Sequence, residues 1–126
     1  MSAAVADYTI ANPAETKIKK SEPQLDLQLL KTTDILATIG KQKRNGQLLI
    51  GFALETNDEE DNAIKKLASK NLDFIVLNSL KDAGAGFKGD NNKITIIDRN
   101  LNKQSFELKS KAQVAVDICQ KIVDLI

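Results

Sequence analysis

Apolar residues recur along the chain in short runs whose period changes from one segment to the next. Ala3 to Tyr8 is a run of small and β-branched residues interrupted only by Asp7, which predicts a buried strand giving way to a loop. Asn12-Pro13 marks a turn. Leu25, Leu27 and Leu29 alternate with Asp26 and Gln28, the pattern of a half-buried strand antiparallel to a neighbour. A helix is expected to open at Asp34-Ile35-Leu36, capped by Thr32 or Thr33, and to close near Gly40. After the Asn45-Gly46 turn, Gln47 to Leu54 is almost continuously apolar, as in a central strand covered on both faces.

Thr56 and Glu59 have capping-box spacing, and Ala63, Ile64, Leu67 and Ala68 form the apolar stripe of the helix they open. Leu72 to Leu77 predicts a second buried strand. The segment from Asn78 to Asn92 carries three glycines and reads as a turn-rich loop. Ile94 to Ile97 and Ser105 to Leu108 then form a hairpin turning near Asn100. Ser110 and Gln113 make another capping box, opening a terminal helix with Val114, Ile118, Ile122 and Leu125 inward. Strands and helices in this alternation predict an α/β fold with a Rossmann-like, mainly parallel sheet. The leucine strand and the late hairpin are antiparallel additions to it.

Composition narrows the function. The 126 residues are enough for one core, and 18 basic against 17 acidic side chains leave a net charge of +1. That balance, with one Tyr, four Phe and no Trp, does not describe a nucleic-acid surface. No apolar run approaches the roughly 20 residues of a membrane span, and the first residues lack the pattern of an export signal, so a cytoplasmic location is expected. Cys119 is alone and sits in an apolar periodic segment, where a reduced core thiol is expected. Histidine is absent, which excludes His-based triads and His-containing metal sites. Catalysis, if present, must use lysines, carboxylates, amides and backbone dipoles.

Five segments, in order, carry a resemblance: Ala3 to Tyr8, Lys17-Ile18-Lys19-Lys20, Gly51-Phe52-Ala53-Leu54-Glu55-Thr56, Lys70-Asn71-Leu72-Asp73, and Gly86 to Asn92. Together they resemble the phosphopantothenoylcysteine synthetase family, from residue 3 to the end. Thr33, where many relatives have proline, and Leu54, where they often have alanine, depart from the pattern without removing a polar group. The resemblance implies the C-terminal part of the ligase domain, whose glycine-rich first half precedes the Ala3 strand in relatives. It also implies CTP-dependent joining of 4'-phosphopantothenate to cysteine through an acyl-cytidylate, with Mg²⁺. FMN enters only if the decarboxylase half found in bifunctional relatives is attached. Relatives pair as dimers, so a homodimer is expected. A non-catalytic nucleotide-binding or dimerisation module is the alternative.

Both reaction steps spread negative charge over phosphates, which suits lysines and helix amides that hold reactants in line. By matching position the resemblance places Lys17 in a basic lid reaching the nucleotide; without it, Lys17, Lys19 and Lys20 read as a solvated loop. Asp7 matches a nucleotide-contacting aspartate, and Ala3 lines the same segment through its backbone. Thr33, Asp34, Ile35 and Leu36 match a helix start whose amides can receive a phosphate, with Asp34 capping or approaching through Mg²⁺. Phe52 matches a phenylalanine that offers a flat face to the nucleotide, against a plain reading as core. Lys66 and Lys70, four apart on one helical face, match nucleotide-binding positions, and Asn78 matches an asparagine near the same cleft.

Overall fold

A computed structural model of the chain describes residues 5–19, 23–79 and 89–126. They fall into two compact units divided between Ile35 and Leu36. In the first unit, β1 (Tyr8–Ile10) pairs antiparallel with β2 (Leu29–Lys31), Tyr8 opposite Lys31 and Ile10 opposite Leu29. The ribbon is closed by Thr32, whose amide donates to the Asp7 carbonyl at 2.9 Å and whose hydroxyl donates to the Ala6 carbonyl at 2.7 Å. That hydroxyl is therefore committed away from the helix it was expected to cap.

Two expectations change here. Among the described residues, the strand predicted at Ala3 to Tyr8 begins at Tyr8, and Tyr8–Ile10 are exposed rather than buried. Leu25 and Leu27 lie outside the strand that Leu29 enters, although the antiparallel pairing is as expected. The cause is common to both: alternation and apolar content signal that a surface will be covered, and nothing in this ribbon covers it.

The second unit contains α1 from Leu36 onward (the helix spans Ile35–Lys41), β3 (Ile50–Glu55), α2 (Glu59–Ser69), β4 (Phe74–Ser79), β5 (Asn91–Asn92), β6 (Ile94–Asp98), β7 (Lys103–Ser105), β8 (Lys109–Ser110) and α3 (Lys111–Val123). Its main sheet runs β3-β4-β6-β7: β3 and β4 are parallel, joined through α2, and the β6–β7 hairpin adds antiparallel strands. β5 and β8 form a separate short antiparallel pair. The α/β class expected from the sequence holds, with a mixed sheet.

β4 is sandwiched. Ile75 and Leu77 join Ala53, Ala63, Leu67, Leu72 and Ile97 beneath α2, while Phe74 and Val76 join Ile94, Ile96 and Val114 beneath α3. Removing a side chain such as Phe74 from water stabilises the unit by about 1.5–3 kcal/mol. β3 was expected to be covered on both faces, but among the described residues it is an edge strand, and Phe52 is 70% exposed. An apolar run reports a hydrophobic environment, not how many strands flank it.

The helix ends follow different rules. Ser110 and Gln113 form the expected capping box, the Ser110 oxygen receiving the Gln113 amide at 3.3 Å and the Gln113 side chain receiving the Ser110 amide at 3.1 Å. The box expected of Thr56 and Glu59 does not form: Asp58, in a left-handed conformation, is the N-cap, and its side chain makes no cap bond. Glu59 is the first helical residue and its carboxylate accepts from the Ser79 hydroxyl at 2.9 Å. Glu59, Glu60 and Asp61 still complement the positive helix end. On α3, Val114 is buried with Ile118 and Ile122 partly so, whereas Leu125 and Cys119 are exposed. Cys119 is thus not a core thiol; it falls outside the stripe set by Val114, Ile118 and Ile122.

Asp73, just before β4, ties three loops together. Its carboxylate receives the Lys43 ammonium at 2.5 Å and the Leu49 amide at 2.6 Å, and the Arg99 Nε stands 3.3 Å away. Burial pushes this carboxyl up, but the hydrogen bonds from Lys43 and Leu49 and the charges of Lys43 and Arg99 outweigh it and hold it below the usual range. Asp98 is shifted the same way: burial again opposes, and bonds from Asn102, Asn100 and Lys121 prevail. A depressed folded value contributes stability that is complete above the unfolded carboxylate value of about 4 and is lost as pH falls through the folded one. We expect thermal stability to decline below about pH 4. In Asp73→Asn the decline should be shallower, from a starting point about 2–3 kcal/mol lower at neutral pH, measured by denaturant unfolding. An unaltered acid limb in the mutant would remove Asp73 from this role.

Candidate functional site

The carboxyl ends of parallel strands collect polar side chains that the strands themselves do not use. Here β3 ends on Glu55 and β4 on Asn78 and Ser79. Glu55 shares the α2 face with Gly51 and Ala53, and its carboxylate pairs with the Lys66 ammonium. The other Glu55 oxygen lies 3.5 Å from the Asn62 amide nitrogen, which also donates to the Asn57 carbonyl at 3.0 Å. The Glu55 side chain is 14% exposed against 43% for that of Lys66, so the acid is the fixed member of the pair and the lysine the accessible one. Helical side chains lean toward the helix N-terminus, which is why Lys66, late in α2, reaches back to the end of β3.

Lys70 is placed differently. It is the C-cap of α2, its amide bonded to the Lys66 carbonyl at 3.1 Å. Its own carbonyl packs on Gly40 of α1 so closely that a Cβ there would sit 2.0 Å away, and the Asn71 side chain donates to the Gly40 carbonyl at 2.9 Å. Phe52 alternates with Gly51 and Ala53 and projects to the α3 side, the side on which Ile50 meets Phe74 and Val76. Phe52 and the Glu55–Lys66 pair therefore occupy opposite faces of β3. A ligand touching both must cross the edge that β3 leaves open among the described residues, or the strand's carboxyl end.

Asn78, opposite Leu54 and Ile94, has a buried Oδ1 with no hydrogen-bond partner among the described residues. Such an acceptor costs about 1–3 kcal/mol until something donates to it. On the α2 side of the same strand end, Glu59, Glu60, Ser79, Lys93, Thr95 and Glu107 are among the residues that line a recess of about 360 Å³. Its lining contains none of the candidate site residues.

Within the first unit, the Asp7 carbonyl is used by Thr32, and Asp7 and Lys17 are exposed. Thr33 and Asp34 precede α1, which begins at Ile35; Leu36 is half-buried against the cluster beneath α2. Ala3 lies outside the described residues, as do positions 86–88 of the Gly86 to Asn92 segment. Sequence reasoning passed over Glu55 and Asn62. The available signal was an acidic residue closing an apolar strand, with a lysine late in the helix that follows.

A family model of the DNA/pantothenate metabolism flavoprotein C-terminal domain matches residues 1–126. The chain belongs to that family. It is 45% identical over 123 residues to the coenzyme A biosynthesis bifunctional protein CoaBC of Bacillus subtilis (strain 168), across 98% of this chain and 30% of that protein. It is 53% identical over 126 residues to a "Cysteine/Cysteine sulfinic acid decarboxylase" from an unknown prokaryotic organism, covering 100% of this chain and 35% of that one. The chain thus spans about a third of the length of these curated relatives.

Among solved structures, the C-terminal domain of CoaBC aligns with a TM-score of 0.66 at 40% identity, over 78% of this chain and 46% of that one. The DNA/pantothenate metabolism flavoprotein from Streptococcus pneumoniae aligns with a TM-score of 0.72 at 23% identity, over 98% and 61%, and shares the fold. The resemblance carried by the five sequence segments is borne out. No helix among the described residues is long and apolar enough to cross a membrane.

The contact at Gly40 predicts a defect confined to the Lys70 turn. Gly40→Ala should destabilise the chain by about 1–3 kcal/mol, because the obstacle is backbone that must shift rather than a side chain that can rotate. Chemical denaturation measures the loss, and amide exchange should locate it at Lys70 and Asn71. Wild-type stability would show that the α1–α2 contact is loose.

Proposed function

We propose that this chain is part of a ligase domain that joins 4'-phosphopantothenate to cysteine in coenzyme A biosynthesis, activating the carboxylate with CTP as an acyl-cytidylate. The observation that carries the reading is the similarity to CoaBC across 98% of the chain, together with that to the solved C-terminal domain of CoaBC. The relative named a decarboxylase shares this segment, but about two-thirds of that protein lies outside the match, and its name does not speak to the shared part.

In this reading Lys66 and Lys70 meet phosphate oxygens, Lys17 brings a further positive charge to the polyphosphate, and Phe52 offers a ring face to the base or ribose. Asp7, the backbone at Ala3, and Thr33 to Leu36 line the rest of the nucleotide site. Among the described residues the Asn78 oxygen has no donor, which supports an approach of a substrate donor at the carboxyl end of β4. Mg²⁺ accompanies the phosphates of CTP in this reading, as a hard cation bound by oxygen ligands. FMN belongs only to an attached decarboxylase domain. The reaction runs in the cytoplasm and the protein acts as a homodimer. Support for pairing comes from eight large hydrophobic side chains exposed among the described residues of the first unit, from Val5 to Leu30, around a ribbon too small to stand alone.

The test is pyrophosphate release with 4'-phosphopantothenate, cysteine, CTP and Mg²⁺. We expect turnover in a polypeptide that includes the glycine-rich half found in relatives, and little in the 126-residue chain, because reacting groups must be held in near-attack geometry. In the active form Lys17→Gln should slow acyl-cytidylate formation by about tenfold or more while leaving the melting temperature unchanged. Unchanged turnover in Lys17→Gln would exclude it from the chemistry, and no turnover in the extended form would overturn the ligase reading.

A further inference from the structure

We infer that Glu55 is a built-in competitor for the Lys66 ammonium, so that a phosphate binds at Lys66 by displacing a carboxylate already paired with it. The inference rests on the nucleotide reading of Lys66 and adds to it a residue to which neither the sequence motifs nor the relatives assign a role. Glu55 closes β3, its side chain is 14% exposed, and the Asn62 amide nitrogen lies 3.5 Å from its other oxygen. Lys66 rises from α2 with its side chain 43% exposed. The pair is therefore asymmetric: the acid is anchored and the lysine can turn outward.

Two effects of Glu55 on an incoming phosphate oppose each other. The ion pair restricts the rotamers of Lys66, which lowers the entropy cost of using it. The carboxylate also cancels the field of the ammonium and repels a phosphate that takes the solvent side of it, at a spacing where like charges still interact strongly beside a protein surface. Lys66 is too exposed for its restriction to amount to much, since partly exposed ion pairs are weak. Repulsion from the more buried carboxylate is screened less. The balance is that Glu55 weakens anion binding at Lys66 and so helps a charged product leave.

The experiment is a double-mutant cycle on the 126-residue chain, titrated calorimetrically with CTP and, separately, with inorganic triphosphate. Glu55→Gln should bind both ligands roughly two- to fivefold more tightly than wild type, a gain no folding defect would produce. Lys66→Ala should weaken binding, and Glu55→Gln should give no gain when Lys66 is already alanine, because the effect passes through the ammonium. Side-chain NMR of the Lys66 methylene and ammonium groups gives an arm without ligand, in which Glu55→Gln should release Lys66 to exposed-lysine averaging. Weaker or equal binding in Glu55→Gln, with Lys66→Ala still impaired, overturns the competitor role and leaves the nucleotide reading standing. Wild-type affinity in Lys66→Ala overturns the nucleotide reading of that lysine itself. Absence of binding in wild type and in Glu55→Gln alike overturns both.

Discussion

The second unit depends on β4 being buried on both faces at once. Phe74 and Val76 point to one side and Ile75 and Leu77 to the other, and all four are almost wholly removed from water. Each face needs its own cover, so α2 and α3 must lie on opposite sides of the sheet and β3 and β6 must flank the strand. A charged clamp sits at the head of this strand. Asp73 draws in Lys43 from before β3 and Arg99 from the hairpin turn, and Arg99 also donates to the carbonyls of Leu72 and Asn71. Hydrophobic burial is non-directional, whereas these bonds set which loops meet at the amino end of β4.

With the amino end clamped, the carboxyl end is free to hold chemistry. Glu55, Asn78 and Ser79 arrive there because the parallel pairing of β3 and β4 brings Leu54 level with Asn78 and Glu55 level with Ser79. α2 starts immediately beyond, with an acidic first turn that leaves Glu59 facing Ser79. The polar groups at this end are held by the sheet register rather than by loop conformation, which favours accurate placement. Lys66 is tied to that end by Glu55.

The first unit is of a different kind. Its ribbon of β1 and β2 has backbone pairing and the Thr32 clasp, but its apolar side chains from Val5 to Leu30 face solvent. Backbone hydrogen bonds contribute little net stability without burial, so a two-stranded ribbon of this size depends on a further surface. That dependence is legible in the leucine alternation itself, which prescribes an apolar face without saying what lies against it.

Local pattern was sufficient wherever the deciding interaction is local. The Ser110–Gln113 box, the turns at Asn45-Gly46 and near Asn100, and the stripe of Val114, Ile118 and Ile122 all follow from residues within a few positions of one another, although the strand after Asn100 is Lys103–Ser105 rather than Ser105 to Leu108. The family was legible as well, because five ordered segments are specific together even where each is common. What the sequence could not decide was anything set by residues distant along the chain. Thr32 gave its hydroxyl to Ala6 instead of a helix, Glu59 gave its carboxylate to Ser79 instead of a cap, and among the described residues β3 took an edge where its apolar run suggested a centre. Lys66 was visible as one of two lysines on a helical face; only the tertiary structure separates them, since Glu55 lies eleven residues before Lys66 and is brought to it by the crossover from β3 into α2.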